Sequence, residues 1–300
     1  MLFLLKKILK TERIAIDVIF IYIYKKIIHS YLFRLFQSQE SKILFIVGCQ
    51  RSGTSLMNRI FTRDLRVSVY REASKLSSKD AAEKIRLNPL NEVRQIISKN
   101  KALLIVAKPL VESQNVLELL KNFPNSKALW MYRNYRDVAK SNPQRFGANQ
   151  GILDLKPIVQ SDRENWRGEK VSDYVRSIVT QHFSEDMNVH DAAALFWFAR
   201  NQLFYELNLE QNAQVFICRY EELVAKPLKM MKNIYKFLNM DFEETEKINE
   251  VHSKAIGGGN TVDLSPPIEQ LCNELQQKLD RTYFSQVEKN DSELMMSNVN

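Results

Sequence analysis

Gly48 and Gly53 bracket Cys49-Gln50-Arg51-Ser52, and Thr54-Ser55 follow at once. The apolar, β-branched run Ile43-Leu44-Phe45-Ile46-Val47 stops at the first glycine, and Leu56, Met57 and Ile60 resume at helical spacing. That order predicts a buried strand, a tight loop and a helix N-terminus. Such a loop turns several backbone N–H groups and the positive end of a helix dipole on one point, and so binds an anion, usually a phosphate. A triphosphate-binding loop of this spacing needs Lys directly after the second glycine, then Ser or Thr for magnesium. Thr54 holds the lysine position here, and no strand-end aspartate presents itself as a magnesium ligand. With Arg51 inside the loop, this argues against ATP hydrolysis. One 5′-phosphate, held by backbone N–H groups and the Thr54 and Ser55 hydroxyls, is the expected occupant.

The elements that must position this loop follow from the rest of the pattern. Val67–Tyr70, Ala102–Ala107, Lys127–Tyr132 and Ala213–Cys218 are further apolar runs of strand length. Between them lie helical patterns: Thr54 to about Asp64, charged residues in 79–100, Val116 to Leu120, Asp191 to about Leu209, and a last one through Phe237-Leu238. Continuous apolar strands alternating with helices predict a parallel sheet covered on both faces, here a P-loop-like three-layer α/β sandwich of about five strands. Glu72, Lys108, Arg133 and Arg219-Tyr220 each fall just past the C-terminal end of a predicted strand, as the Arg51 loop does. Ligands of an open parallel sheet bind outside those ends. Residues distant in sequence are therefore expected to meet in one basic cleft holding a single carboxylate.

Lys and Arg total 43 against 35 Asp and Glu, a net charge of +8, which suits an anionic ligand or a membrane surface. The basic residues are spread along the chain rather than clustered, so nucleic acid is not the expected partner. Three distant cysteines, Cys49, Cys218 and Cys272, make neither a disulfide framework nor a zinc site, and a reducing, cytoplasmic setting is the default. Residues 1–37 form a separate leader. Its longest uncharged run, Val18–Tyr24, is too short to span a bilayer, which takes about 20 apolar residues. A basic amphipathic helix lying on a membrane and a helix packing on the domain are the two readings of this leader. Residues 38–287 are expected to form the main domain, with a polar, irregular insertion at 142–186 that holds a helical patch near 171–182. A flexible polar tail is expected at 288–300.

The loop Gly48-Cys49-Gln50-Arg51-Ser52-Gly53-Thr54-Ser55-Leu56-Met57 resembles the 5′-phosphosulfate loop of sulfotransferases that use 3′-phosphoadenosine 5′-phosphosulfate (PAPS), especially the tyrosylprotein, carbohydrate and bacterial types. A second stretch, Phe123 to Ser141, is similar to the family's 3′-phosphate element, in which a strand-end Arg is followed eight residues on by a Ser. Arg133 and Ser141 keep that spacing. Arg219-Tyr220-Glu221-Glu222-Leu223 with Pro227 matches a weaker third signature, and the resemblance spans roughly residues 42–262.

The resemblance implies sulfuryl transfer from PAPS to a hydroxyl or amine of a glycan, lipid or small molecule, without metal, by a sulfotransferase domain over 38–287 whose insertion at 142–186 lies on the acceptor side. Arg51, Ser52, Gly53, Thr54 and Ser55 would hold the 5′-phosphosulfate, Arg133 and Ser141 the 3′-phosphate, and Tyr220 would contact the donor. Gly258, Gly259 and Asn260, in a loose match over 253–260, would belong to a loop closing over it. Glu72 would be the catalytic base, with Lys108 and Arg51 beside the transferring group. A P-loop kinase and a non-enzymatic membrane-surface adaptor are the alternatives. Glu72 and Lys108 also read as an ordinary surface carboxylate and lysine, and Tyr220 as a core tyrosine. His182 and His190 are weaker candidates for the base, and Cys49 reads as inert unless the anion loop lowers its pKa.

Overall fold

A strand with no polar side chain between its ends can only be central, and β1 (Lys42–Gly48) is: Leu44 to Val47 are fully buried. In the computed structural model of the protein it is flanked by β3 (Leu104–Ala107) on one side and β4 (Ser126–Tyr132) on the other. β2 (Val67–Tyr70) extends the sheet beyond β3, and β5 (Val215–Arg219) beyond β4, giving the order β2-β3-β1-β4-β5 with every pairing parallel. The structure describes residues 41–78, 85–242 and 257–297, with Ile27 and Tyr31 before them. Apart from Ile27 and Tyr31, the proposed leader at 1–37 lies outside the described residues, as does the Ser253–Ile256 part of the late loop.

The helices are α1 (Thr54–Arg63), α2 (Leu90–Ser98), α3 (Val116–Asn122), α4 (Tyr135–Phe146), α5 (Gln150–Val159), α6 (Asp173–His182), α7 (Val189–Glu206), α8 (Tyr220–Ala225), α9 (Pro227–Phe237) and α10 (Pro266–Ser297). Alternation along the strands assigns them to faces. Phe216 of β5 meets Phe237 of α9, and α9 meets α1 through Tyr235 and Phe61, which defines one covering layer. On the other face Phe45 packs on Phe123, at the end of α3, and Trp130 on Phe204 of α7, while Tyr132 donates to Asp280 of α10 at 2.8 Å. The α/β sandwich with a central five-stranded parallel sheet is thus the architecture expected from the strand–helix alternation.

Two expectations need correcting. Residues 142–186 are mostly helical: α4 continues to Phe146, α5 fills Gln150–Val159, and α6 occupies the patch foreseen at 171–182. Pro143 and Pro157 both lie inside helices and broke up the sequence pattern, but buried Ile152, Leu155 and Ile158 anchor α5 regardless. The expected flexible tail is helical as far as Ser297, the chain there being rich in the good helix formers Glu, Leu and Met.

Candidate active site

The loop after β1 is shaped by three residues in the left-handed half of φ space, Gly48 at +121°, Arg51 at +67° and Gly53 at +85°. Gly48 lies so close to β4 that a Cβ would sit 2.2 Å from the Met131 carbonyl oxygen, and its N–H donates to Ser113 Oγ at 2.9 Å. A Cβ on Gly53 would lie 2.3 Å from Cδ2 of Tyr220. Glycine is therefore required twice by close approach and not only by backbone angle. Arg51 has no such freedom, and its conformation stores about 1–3 kcal/mol of strain. Gly53 accepts from the N–H groups of Leu56 and Met57, starting α1 without a side-chain cap, so the helix's first N–H groups face the loop. The Ser52 hydroxyl is fully buried there without a hydrogen-bond partner, and Thr54 is buried beside it.

Arg51, Arg133 and Tyr220, each placed past a strand end in the sequence, come together with Ser141 of α4. Arg51 Nε donates to Ser141 Oγ at 3.0 Å, and Arg133 Nη1 to the Arg51 carbonyl at 3.4 Å. The Arg133 guanidinium lies 4.5 Å from the centre of the Tyr220 ring, so Tyr220 is wedged between that cation and Gly53. Burial pushes the Tyr220 hydroxyl pKa up, against the pull of Arg133. Burial, then repulsion from Arg145 and Arg133, holds the Arg51 pKa below its usual value. No carboxylate is in ion-pair range of Arg51 or Arg145 among the described residues. Three arginines crowded together, with the Asp137 carboxylate on Arg133 alone, leave an excess of positive charge that suits an anion.

At the β2 and β3 ends, Glu72 Oε2 lies 3.0 Å from Lys108 Nζ, which also donates to Ser55 Oγ at 3.3 Å. Lys108 is only 7% exposed while the Glu72 side chain keeps 29%, so the carboxylate can be reached from solvent and the ammonium sits between it and the loop. Arg71, Leu76, Leu87 and Pro109 line a small hollow around this pair. One carboxylate, one buried ammonium and a loop of N–H donors supply a proton acceptor and a stabiliser of developing negative charge side by side.

Gly258 and Gly259 reach the site by another route. The Gly259 N–H donates to Asp137 Oδ1 at 2.6 Å and the Gly257 N–H to Oδ2 at 3.1 Å, while Lys140 Nζ donates to the Gly258 carbonyl. Asp137 also pairs with Arg133 at 3.3 Å. The turn Gly258–Thr261, with Asn260 exposed in it, is thus docked on the N-terminal half of α4 beside Arg133, not over the loop at 48–55.

Other residues fall differently. Arg219 is engaged away from the cleft, with Glu221 and Asp280 at 3.4 and 3.3 Å. Burial raises the Cys49 thiol to about 12, so the anion loop does not activate it. The sequence reading missed Arg145, Asp137 and Asn142. Arg145 stands four residues beyond Ser141 on the same helix face, a signal that was legible. Asn142, buried with both amide atoms unpartnered, carried none. No cluster of three or more metal-ligating side chains occurs among the described residues, and none of their helices is long and apolar enough to cross a membrane.

The family model described as a sulfotransferase domain matches residues 41–256 of this chain. Among solved structures, the sulfotransferase domain from the curacin biosynthetic pathway is similar at 16% identity and TM-score 0.49, covering 81% of this chain and 99% of its own. A sulfotransferase from Alicyclobacillus acidocaldarius aligns at 14% identity and TM-score 0.43 over 85% of this chain and 96% of its own. A mouse sulfotransferase complexed with PAP aligns at 16% and 0.44 over 81% and 86%. No curated protein matches. With the family model covering well over half of its length, including the loop, the strand ends and the paired Glu72 and Lys108, the chain belongs to the sulfotransferase domain family.

Proposed function

We propose that this sulfotransferase takes its sulfuryl group from PAPS and passes it to a hydroxyl or amine of a glycan, lipid or small molecule, with Glu72 as the base. The observation that carries the donor assignment is the joining of two cationic points: the loop, with Arg51 in it and Lys108 against it, and the β4–α4 segment, with Arg133 and Ser141, linked by the Arg51–Ser141 hydrogen bond. A donor with phosphate at both its 5′ and 3′ positions needs two such points, and the unpartnered Ser52 hydroxyl and the uncapped N–H groups of α1 fit an anion in the loop.

The residues then take distinct roles. Ser52, Gly53, Thr54 and Ser55 orient the 5′-phosphosulfate, which supplies the activated sulfuryl group. Arg133, over the Tyr220 ring, is presented to the 3′-phosphate in exchange for its Asp137 contact. Lys108 and Arg51 stabilise negative charge building on the transferring group and the leaving phosphate, much as cations do in phosphoryl transfer. Glu72 takes the acceptor's proton. Lys108 holds the Glu72 carboxylate beside the loop through their 3.0 Å contact. The kinase alternative lacks the lysine that Thr54 replaces.

Titration calorimetry with PAP tests the donor assignment. Wild-type protein should bind it, and Arg133→Ala should weaken binding roughly 10- to 100-fold, the range for a lost charge-assisted bond. Equal affinities, or no binding by the wild type, would sink the proposal. Assaying PAP release from PAPS across candidate acceptors then identifies the substrate class.

A further inference from the structure

The carboxylate of Asp154, on α5, has no exposure to solvent, yet it accepts three hydrogen bonds, one from its own helix and two from separate segments. Gln50 Nε2 of the anion loop donates to Oδ2 at 2.8 Å, Gln150 Nε2 at the start of α5 to Oδ1 at 2.7 Å, and Arg167 Nε to Oδ1 at 2.5 Å. Arg167 in turn stacks on Trp166, whose other cationic neighbour is the fully buried Arg200, bonded to Gln114 at 3.1 Å. A buried carboxylate is costly unless paired, and this one is spent on tying the 150–170 region to the residue next to Arg51. Among the loop side chains Gln50 makes the hydrogen bond to Asp154, whereas Arg51 donates to Ser141 on α4.

We propose that Asp154 is a positioning residue for sulfuryl transfer: through Gln50 it holds the anion loop in its strained shape, so the acceptor-side region and the donor loop move as one piece. Arg51 stays in its left-handed conformation only while its neighbours over-determine it. Gln50, on one side of Arg51, is fixed by Asp154, and Gly53, on the other, by Tyr220. Loosening either should cost donor affinity and turnover together, although Asp154 touches neither donor nor acceptor. The same region has a second anchor, Glu169, which binds Arg86 at 3.0 Å and accepts from Gln114 and Asn115, away from the loop. It serves as an internal control.

This inference rests on the donor reading above, and a polarity swap separates the two. Gln50→Glu places a second carboxylate against Asp154 and should weaken PAP binding to the full-length protein about tenfold or more, as expected for a disrupted buried charge contact. Adding Asp154→Asn lets an amide donate to the new carboxylate and should recover most of the loss in PAP affinity and in PAPS turnover. Glu169→Gln should leave PAP affinity within about twofold of wild type. Should Gln50→Glu fail to fold, Gln50→Leu, which deletes the donor without adding charge, should still weaken binding several-fold. A wild type that does not bind PAP removes the donor reading. A wild type that binds, with unchanged affinity in the Gln50 variants or no recovery in the double variant, overturns the positioning role while leaving the donor reading intact.

Discussion

At the scale of single residues the cleft assigns different work to groups that composition cannot tell apart. The chain has 35 acidic residues, but Glu72 is set apart by pairing with a buried lysine that also holds a loop hydroxyl. Replacing it with Gln keeps a hydrogen-bond partner for Lys108 and removes the basic oxygen. Turnover should then fall by about 10²–10⁴-fold, while PAP affinity stays within a few-fold of wild type. Steady-state kinetics beside calorimetry read both quantities, and a joint loss would reassign Glu72 to structure. The same logic removes Cys49: a thiol pushed up to about 12 by burial is not a nucleophile at neutral pH, wherever it lies in the loop.

At the scale of elements, the site depends on contacts between segments that share no sequence pattern. Tyr220, first residue of α8, sits against Gly53, so Gly53→Ala meets both a positive φ and an occupied space. It should lower stability by roughly 1–3 kcal/mol in denaturant unfolding and reduce PAP affinity as the loop shifts. The turn leading out of α1 is held to α9 in a comparable way. Asp64 accepts from Arg66 and, at 2.6 Å, from the Tyr235 hydroxyl. Burial pushes the Asp64 pKa up, but those hydrogen bonds outweigh it and leave it below the ordinary carboxylate value. A depressed folded pKa means that the unfolded chain binds the proton more readily. The stabilisation is therefore complete above the unfolded value of about 3.9 and is lost as pH falls through the folded one. Asp64→Asn should reduce stability at neutral pH and flatten the acid limb of a stability–pH curve below about pH 4. An unchanged acid limb would show that Asp64 does not carry this dependence.

At the scale of the whole molecule, a net charge of +8 and a cleft where Arg51 crowds Arg133 and Arg145 point to an electrostatic share in capture of the proposed donor. Raising ionic strength from about 0.05 M to about 0.5 M should slow PAP association and weaken its affinity, because exposed charges are screened beyond a few ångströms at high salt. Stopped-flow association rates over that range check this, and a flat profile would assign binding to short-range contacts alone. The C-terminal strand ends carry the groups proposed for donor binding and catalysis, whereas at the opposite end of the sheet Lys42 and Lys127 donate to the Leu238 and Phe237 carbonyls where α9 ends. Those two lysines stabilise a helix terminus, a role in which cations are favourable.

Much of this protein is determined locally and can be read from the chain alone. Strand positions, their parallel arrangement, the anion loop, and the placing of Arg51, Glu72, Lys108 and Arg133 at strand ends all follow from periodicity and from two glycines. These signals survive because a central strand buried on both faces tolerates only apolar residues. The remainder was decided by tertiary structure. Helix α5 is concealed by Pro157 and by polar neighbours, and only its packing partners make it a helix. That Gln50 meets Asp154, 104 residues away, and that Asp137 receives the turn at Gly257–Gly259, 120 residues on, leaves no mark in composition or spacing. A single hydrogen bond between distant segments imposes a residue type at each end but no period along the chain, so folding alone reveals it.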